Sequence, residues 1–471
     1  MDASEAPSQA PLAVIGAGFS GTMVAIHLLR TLPRERPILL FERSGRFAHG
    51  LAYGTANRGH LLNVRASNMS ALPDVPDHFV RWLERQDEPA SCEMPAGSFA
   101  PRGVYGRYLE ELLRSRSDGH EPGGRLALER DDVTDLVPER QGYAVHLASG
   151  RRIHAAGVVL ACGNLRAGGL RSRHAVDPWR GAALDDLTDG TPLLIVGTGL
   201  TMIDAVATIR DRGFSGPIVA LSRRGLLPHA HGPAPAWTRL APRHGGRSLL
   251  RLFRQVRAEI AQAAGAGFGW RSVIDSLRPE SVALWQSLSP ADQARFVRHL
   301  RAYWDVHRHR AAPPAIAMIE REREAGRLSI LRARIEGIAD LADGALVSLR
   351  ERGARITRDL KVQRIVDASG FGRVGESDDL LLRRLLARGL VVPDRLGLGL
   401  SVAEDFSAFD RRGLSARALW TLGPLLRGTL WECTAVPDIR VQAARLADTI
   451  AGRMDAIDSG AAYDVSGLAT A

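Results

Sequence analysis

Apolar positions along the chain fall into two recurring arrangements. Short runs dominated by apolar residues, Leu12 to Ile15, Pro37 to Phe41, Gly157 to Gly163, Pro192 to Val196, Pro217 to Leu221 and Arg364 to Ala368, are bounded by glycine or polar residues. That is the pattern of strands buried on both faces. Helical spacing follows two of them directly, over Thr22 to Leu32 and over Ile203 to Ile209. Strict alternation over Asp131 to Leu136 and Tyr143 to Leu147 predicts a pair of half-buried strands. Strands alternating with helices place the chain in the α/β class with parallel sheets.

Between about Trp237 and Arg327 the spacing turns helical throughout. Leu249 to Ile260 is amphipathic, Ser289-Pro290-Ala291-Asp292-Gln293 reads as a capped helix start, and Arg301 to Arg310 is basic and aromatic. Short helices are also expected over Asp77 to Leu83 and from Pro101-Arg102-Gly103 onward. The stretch from Gly50 to Ser70 has neither period and is expected to be irregular, as functional loops often are. His174 to Trp179 reads as a linker.

The first apolar run ends in Gly16-Ala17-Gly18-Phe19-Ser20-Gly21. A strand, a G-x-G-x-x-G turn and a helix form a dinucleotide site: Gly16 makes the turn, Gly18 admits a pyrophosphate, and Gly21 lets helix and strand pack. Glu42 ends the next strand about 20 residues on, where a carboxylate can hold a ribose 2′-hydroxyl. A second such turn, Gly197-Thr198-Gly199-Leu200-Thr201-Met202, follows Pro192 to Val196 and replaces the third glycine by methionine. The strand after it ends in Ser222-Arg223-Arg224 without an acidic residue, which favours the 2′-phosphate of NADP over NAD. Two small-residue strand ends, Ala161-Cys162-Gly163 and Ser369-Gly370, suggest close backbone approach to a cofactor, and the strand before Gly370 is expected to return the chain to the first domain.

Composition adds exclusions. A formal charge of +10 comes from arginines scattered along the chain, Lys361 being the single lysine, so charge gives no nucleic-acid or membrane patch. Cys92, Cys162 and Cys433 form no C-x-x-C, which argues against a disulfide-reductase mechanism and a zinc site. His307 and His309, two apart on a helix, face different sides and make no metal pair. Arg308 and Arg310 are candidates for an anion site, taking a cofactor phosphate or a substrate carboxylate. The polar first ten residues and the absence of an apolar run of about 18 lead us to expect a soluble cytoplasmic protein.

Taken together, these units resemble the two-dinucleotide-binding flavoproteins. Gly50-Leu51-Ala52-Tyr53-Gly54-Thr55, Leu62-Asn63-Val64, Asn68-Met69-Ser70, Tyr303 to Arg310 and Trp431 to Pro437 resemble a bacterial family of FAD/NAD(P)-binding oxidoreductases, related to the class B flavin monooxygenases that N-hydroxylate amines. The resemblance implies two Rossmann-like domains: a split FAD domain over 1–185 and 361–471, and an inserted NADP domain over 186–360 carrying the helical insertion. It implies FAD contacts from Gly16, Gly18, Phe19, Ser20, Gly21, Glu42, Arg43, Asn63, Met69, Arg107, Val133, Cys162, Gly163 and Gly370. NADPH contacts are implied for Gly197, Gly199, Thr201, Arg223 and Arg224. The glycine-rich turn Leu422 to Gly428 is expected to open a late helix at the flavin. The implied activity is an NADPH-oxidising monooxygenase acting on a small amine or amino acid with O₂ through a C4a-hydroperoxyflavin, and a homo-oligomer is possible. A reductase passing electrons to a partner or organic acceptor, and a binding protein with structural FAD, stand as alternatives.

Overall fold

The computed structural model describes residues 9–86, 97–116, 124–165, 169–179, 184, 186–238 and 248–458. Cys92 lies outside them. The chain divides into two compact units, one of residues 1–55, 65–167 and 372–471, the other of residues 56–64 and 168–371. Among the described residues no helix is long and apolar enough to cross a membrane.

The first unit is built on a six-stranded sheet in the order Ser407–Phe409, Ser415–Thr421, Gly157–Leu160, Leu12–Ile15, Ile38–Phe41, Leu126–Glu129. All pairings are parallel except that of the Ser407–Phe409 edge. Leu12–Ile15 and Gly157–Leu160 are buried at every position, as the centre of a sheet covered on both faces requires. Helix Phe19–Thr31 starts three residues earlier than the periodicity suggested, inside the glycine turn itself. The closing helix Val436–Asp458 packs along it, and its buried residues Ile439, Ala443, Leu446, Ala447, Ile450 and Met454 recur with the period of one helix face. A small antiparallel sheet of Val133–Pro138, Tyr143–Leu147 and Arg152–Ala155 completes this unit.

The second unit holds a seven-stranded sheet in the order Arg358–Val362, Gly344–Glu351, Leu328–Leu341, Ile218–Ser222, Leu193–Val196, Arg364–Asp367, Ala175–Val176. Alternate residues feed opposite faces. Leu193, Ile195, Ala220 and Val366 join the core under helix Leu200–Asp211, whereas Leu194, Leu221 and Ile365 join the core on the other side. The helical stretch begins with Leu249–Gly265, capped by Ser248, and has its own core of Trp237, Ala263, Val273, Ile274, Leu277 and Leu284. Ser289 caps Pro290–Arg295 by accepting from the Asp292 N–H, as its sequence indicates.

The structure departs from three expectations. Arg364–Asp367 does not return to the first sheet: it lies between Leu193–Val196 and Ala175–Val176, and the chain changes unit only at 371/372, past the expected 360/361. His174 to Trp179 is not a bare linker, since Ala175–Val176 is the edge strand of the second sheet. The supposedly irregular Gly50 to Ser70 contains the helix Gly50–Tyr53 and the 3₁₀ turn Ala66–Asn68, and residues 56–64 group with the second unit.

Candidate functional site

The first glycine turn divides its labour by position. Gly16 has φ +97°, and a Cβ there would meet the Ala161 carbonyl oxygen at 2.5 Å, so the turn lies directly against the end of the neighbouring strand. At Gly21 a Cβ would fall 1.8 Å from the Gly16 oxygen, which leaves helix and strand no room for a side chain. Gly18 is different. A Cβ there would touch only the Gly50 Cα, at 3.6 Å, so its small size is not demanded by packing. Gly18 also caps helix Phe19–Thr31 without any side-chain bond, leaving the helix's first N–H groups open. An open glycine before an uncapped helix N-terminus is the cradle a pyrophosphate requires.

The surrounding residues fit that cradle. Glu42 Oε2 accepts from the Ala17 N–H at 3.2 Å, while Oε1 accepts from Ser44 N–H and Oγ–H at 3.0 and 2.8 Å, fixing the carboxylate beside the glycine turn. Gly163, at φ +73°, faces open space, and Gly423, at φ +78°, brings the late glycine turn so close that a Cβ would lie 2.5 Å from Ser20 Oγ. That late turn runs into the short helix Arg427–Leu430, and the long closing helix opens only at Val436. Phe19 is buried and meets Tyr53 and Tyr105 at ring distances of 6.5 and 6.3 Å, part of an aromatic cluster with Phe79 and Tyr108.

Other expected residues are scattered. Arg43 pairs with Asp379 at 3.0 Å and with Asp132 at 3.8 Å. Met69 is buried with its N–H on the Ala66 carbonyl, Val133 is buried opposite Leu147, and Arg107 is exposed on helix Arg102–Arg116. Burial pushes the Cys162 thiol up to about 12, with Asp379 adding to the shift, so it has no thiolate character. Asn63, expected at the flavin, falls in the second unit, where its carbonyl accepts from His231 Nε2 at 2.9 Å. Gly370 also falls there, exposed at φ +100° just after the strand end that Gly197 contacts.

The second turn repeats the geometry of the first. Gly197, at φ +115°, would drive a Cβ to 2.0 Å from the Ala368 oxygen, and a Cβ on Gly199 would meet nothing within 4 Å. Gly199 caps helix Leu200–Asp211 without a side-chain bond, and Thr201 lies in its first turn. Met202, in place of the third glycine, is fully buried in the core beneath the helix. Thr198 was not indicated by the motif, yet its Oγ1 donates to the Leu226 carbonyl at 2.6 Å and lies 2.9 Å from Ser222 Oγ, bracing the turn to the neighbouring strand end.

The two arginines beyond that strand part company. Arg223 is exposed. Arg224 turns away, donating Nη2–H to the carbonyls of Arg298 and His299 at 3.3 and 3.0 Å and lying 5.1 Å over the Tyr303 ring. Those carbonyls belong to a π-helical turn, Phe296–Leu300, whose wider winding frees backbone acceptors. Among the described residues no group of three or more His, Cys, Asp or Glu side chains is arranged to hold a metal.

Comparison with known proteins bears on this geometry. Residues 13–165 match the FAD-NAD(P)-binding family. Over 219 residues the chain is 28% identical to the L-aspartate N-monooxygenase (nitrosuccinate-forming) of Streptomyces cremeus, a match covering 38% of this chain and 32% of that enzyme's length. An uncharacterized protein of Mycobacterium tuberculosis is 23% identical, covering 94% of this chain and 96% of its own length. Among solved structures, the ornithine N-hydroxylase of Kutzneria sp. 744 superposes with a TM-score of 0.64 at 17% identity, covering 94% of this chain and 99% of that one. The fold is therefore the mixed α/β fold of this N-hydroxylase.

Proposed function

We propose that this chain, with its FAD-NAD(P)-binding domain over residues 13–165 and its N-hydroxylase fold, is an FAD-dependent, NADPH-oxidising monooxygenase acting on a small amine or amino acid. The observation that carries the reading is the duplication: two strand, glycine turn and helix units, each with an open second glycine and an uncapped helix N-terminus. One nucleotide site would serve a binding protein. Two sites on one chain serve transfer between two nucleotides.

The chemistry that the bound cofactors supply is hydride transfer from nicotinamide to flavin and reductive activation of O₂. The chain's own residues bind, orient and exclude. The Phe19 and Ser20 N–H groups face the first pyrophosphate position, Glu42 is fixed to receive a ribose hydroxyl, and the Gly199 to Thr201 backbone serves the second nucleotide in the same way. Arg223 is the residue free to meet a 2′-phosphate. Phe19, Tyr53, Phe79, Tyr105 and Tyr108 pack an apolar aromatic wall beside the first turn, which keeps water from that side. Neither Cys162 nor Cys433 takes part, because burial holds both thiols protonated. The test is to follow NADPH and O₂ consumption by the purified holoprotein across amines and amino acids, and to identify an N-oxygenated product by mass spectrometry. NADPH consumption without an oxygenated product for any of them would favour the reductase alternative.

A further inference from the structure

A second chemical centre lies in the helical part of the second unit. Arg310 is almost wholly buried, with 5% of its side chain exposed. Its Nη2 bonds Asp275, but Nε and Nη1 have no hydrogen-bond partner among the described residues. Arg271 lies beside it, sending Nε–H and Nη2–H to the one carbonyl of Ala230 at 3.2 and 2.9 Å. Trp270 serves both guanidiniums, with Arg271 Cζ 4.6 Å and Arg310 Cζ 5.9 Å from its ring centre. His229 and His307 close the group, each within 5.1 Å of the Trp270 ring and 4.6 Å from one another.

The backbone frame is rigid. His229 N–H donates to Val306, Ala311 N–H returns to His229, and His231 N–H donates to Ala311, so the residues carrying the rings and Arg310 are laced together. Among the described residues the acidic partner of this group is Asp275, bonded to Arg310 and 38% exposed at its side chain, so two guanidiniums share the Trp270 ring beside one carboxylate. Burial, then the charge of Arg310, lowers the pKa of Arg271, which registers the same excess of positive charge. Buried guanidinium N–H groups without acceptors are costly, and a protein keeps them where a ligand supplies the acceptor.

We propose that Arg310 and Arg271, framed by Trp270, His229 and His307, form an oxyanion site for a small ligand. With Arg223, exposed beyond the strand that follows the second glycine unit, taken for the 2′-phosphate, the group assigned here is a carboxylate of the substrate. The assignment rests on the monooxygenase reading only for calling that ligand the substrate. Acidic amines or amino acids with a carboxylate remote from the reacting nitrogen are the class it selects.

The experiment is calorimetric titration of the FAD-loaded protein with succinate, a dicarboxylate without an amine, and separately with 2′,5′-ADP, for the native chain, R310Q and R271Q. Succinate is expected to bind the native chain and to weaken about tenfold or more in each variant, the loss of one charge-assisted bond, with 2′,5′-ADP unchanged. Weakening of 2′,5′-ADP alone would overturn the carboxylate assignment in favour of the cofactor phosphate. Succinate binding that is absent, or indifferent to both substitutions in folded variants, would overturn the site altogether. Should R310Q not fold, phenylglyoxal labelling of the native chain decides: succinate must shield Arg271 or Arg310, and no shielding sinks the proposal. Substrate-independent NADPH oxidation, recorded in the same samples, separates this failure from failure of the monooxygenase reading.

Discussion

A Cβ placed on Gly21 would lie 1.8 Å from the carbonyl oxygen of Gly16, whereas one placed on Gly18 would reach nothing closer than 3.6 Å. The two glycines therefore have separable duties. G21A forces helix and strand apart and is expected to cost about 1–3 kcal/mol or more in stability. G18A is expected to cost under about 1 kcal/mol as a cap substitution while weakening FAD at least tenfold. Urea unfolding of the apoprotein and flavin fluorescence titration measure the two effects. Equal stability losses for both variants would contradict this division.

Arg223 and Arg224 are adjacent in sequence but differ in surroundings: Arg223 is exposed, and Arg224 meets the Arg298 and His299 carbonyls. R223A is expected to weaken NADPH by about ten- to a hundredfold with little change for NADH, the loss of charge-assisted bonds to a phosphate. R224A instead removes the bonds to the Arg298 and His299 carbonyls, and should lower the melting temperature while altering NADPH and NADH alike. Steady-state KM values for both nucleotides make the comparison. A NADPH-specific defect in R224A would reverse the assignment.

Glu322 is the buried hub of an ion-pair network, accepting from Arg210 Nε at 2.7 Å and from Arg327 Nη2 and Nε at 2.6 and 3.1 Å. The Arg327 bond chiefly, with Arg210 adding, holds its carboxyl below the ordinary glutamate value. The folded state thus binds its proton less readily than the unfolded chain. Its stabilisation is complete at neutral pH and fades as acid takes the solution through the lowered value. E322Q is expected to lose about 2–3 kcal/mol at pH 7 and to flatten the acid limb of a stability profile. Unfolding curves for the two proteins between pH 3 and pH 7, a window set by the carboxylate range, check the slope as well as the size.

The thiols give a prediction of silence. Burial raises both thiols, Cys162 to about 12, so neither is a reactive thiolate at neutral pH. Iodoacetamide should leave both unlabelled in the native protein and label both in urea, as read by peptide mass spectrometry. C162S should retain flavin and NADPH oxidation. Rapid native labelling of Cys162 would restore a redox role for it.

Local features were legible from sequence and long-range ones were not. The glycine turns, their flanking strands and the Ser289 cap depend on neighbours within a few residues, so their composition speaks for them. Arg364–Asp367 reads equally well as a strand of either sheet, because both demand the same buried apolar run, and only its pairing with Leu193–Val196 decides. Asn63 sits in a short segment whose partners, His231 among them, lie far along the chain. The grouping of Arg271 with Arg310 is likewise tertiary: Arg308 and Arg310 stood out as basic residues near aromatics, but nothing local marked Trp270 and Arg271 as their neighbours. The contacts of Arg224 are equally non-local, since the carbonyls of Arg298 and His299 belong to a π-helical turn some 75 residues on.

The proposed activity passes electrons from NADPH through FAD to O₂ and an amine. Its most direct test is to record the flavin spectrum of the purified holoprotein, add NADPH without oxygen, then admit ¹⁸O₂ with a panel of amines and amino acids. Bleaching by NADPH, recovery of the oxidised spectrum in air, and one atom of ¹⁸O in an N-oxygenated product are expected. A flavin that NADPH does not bleach would contradict the proposed activity.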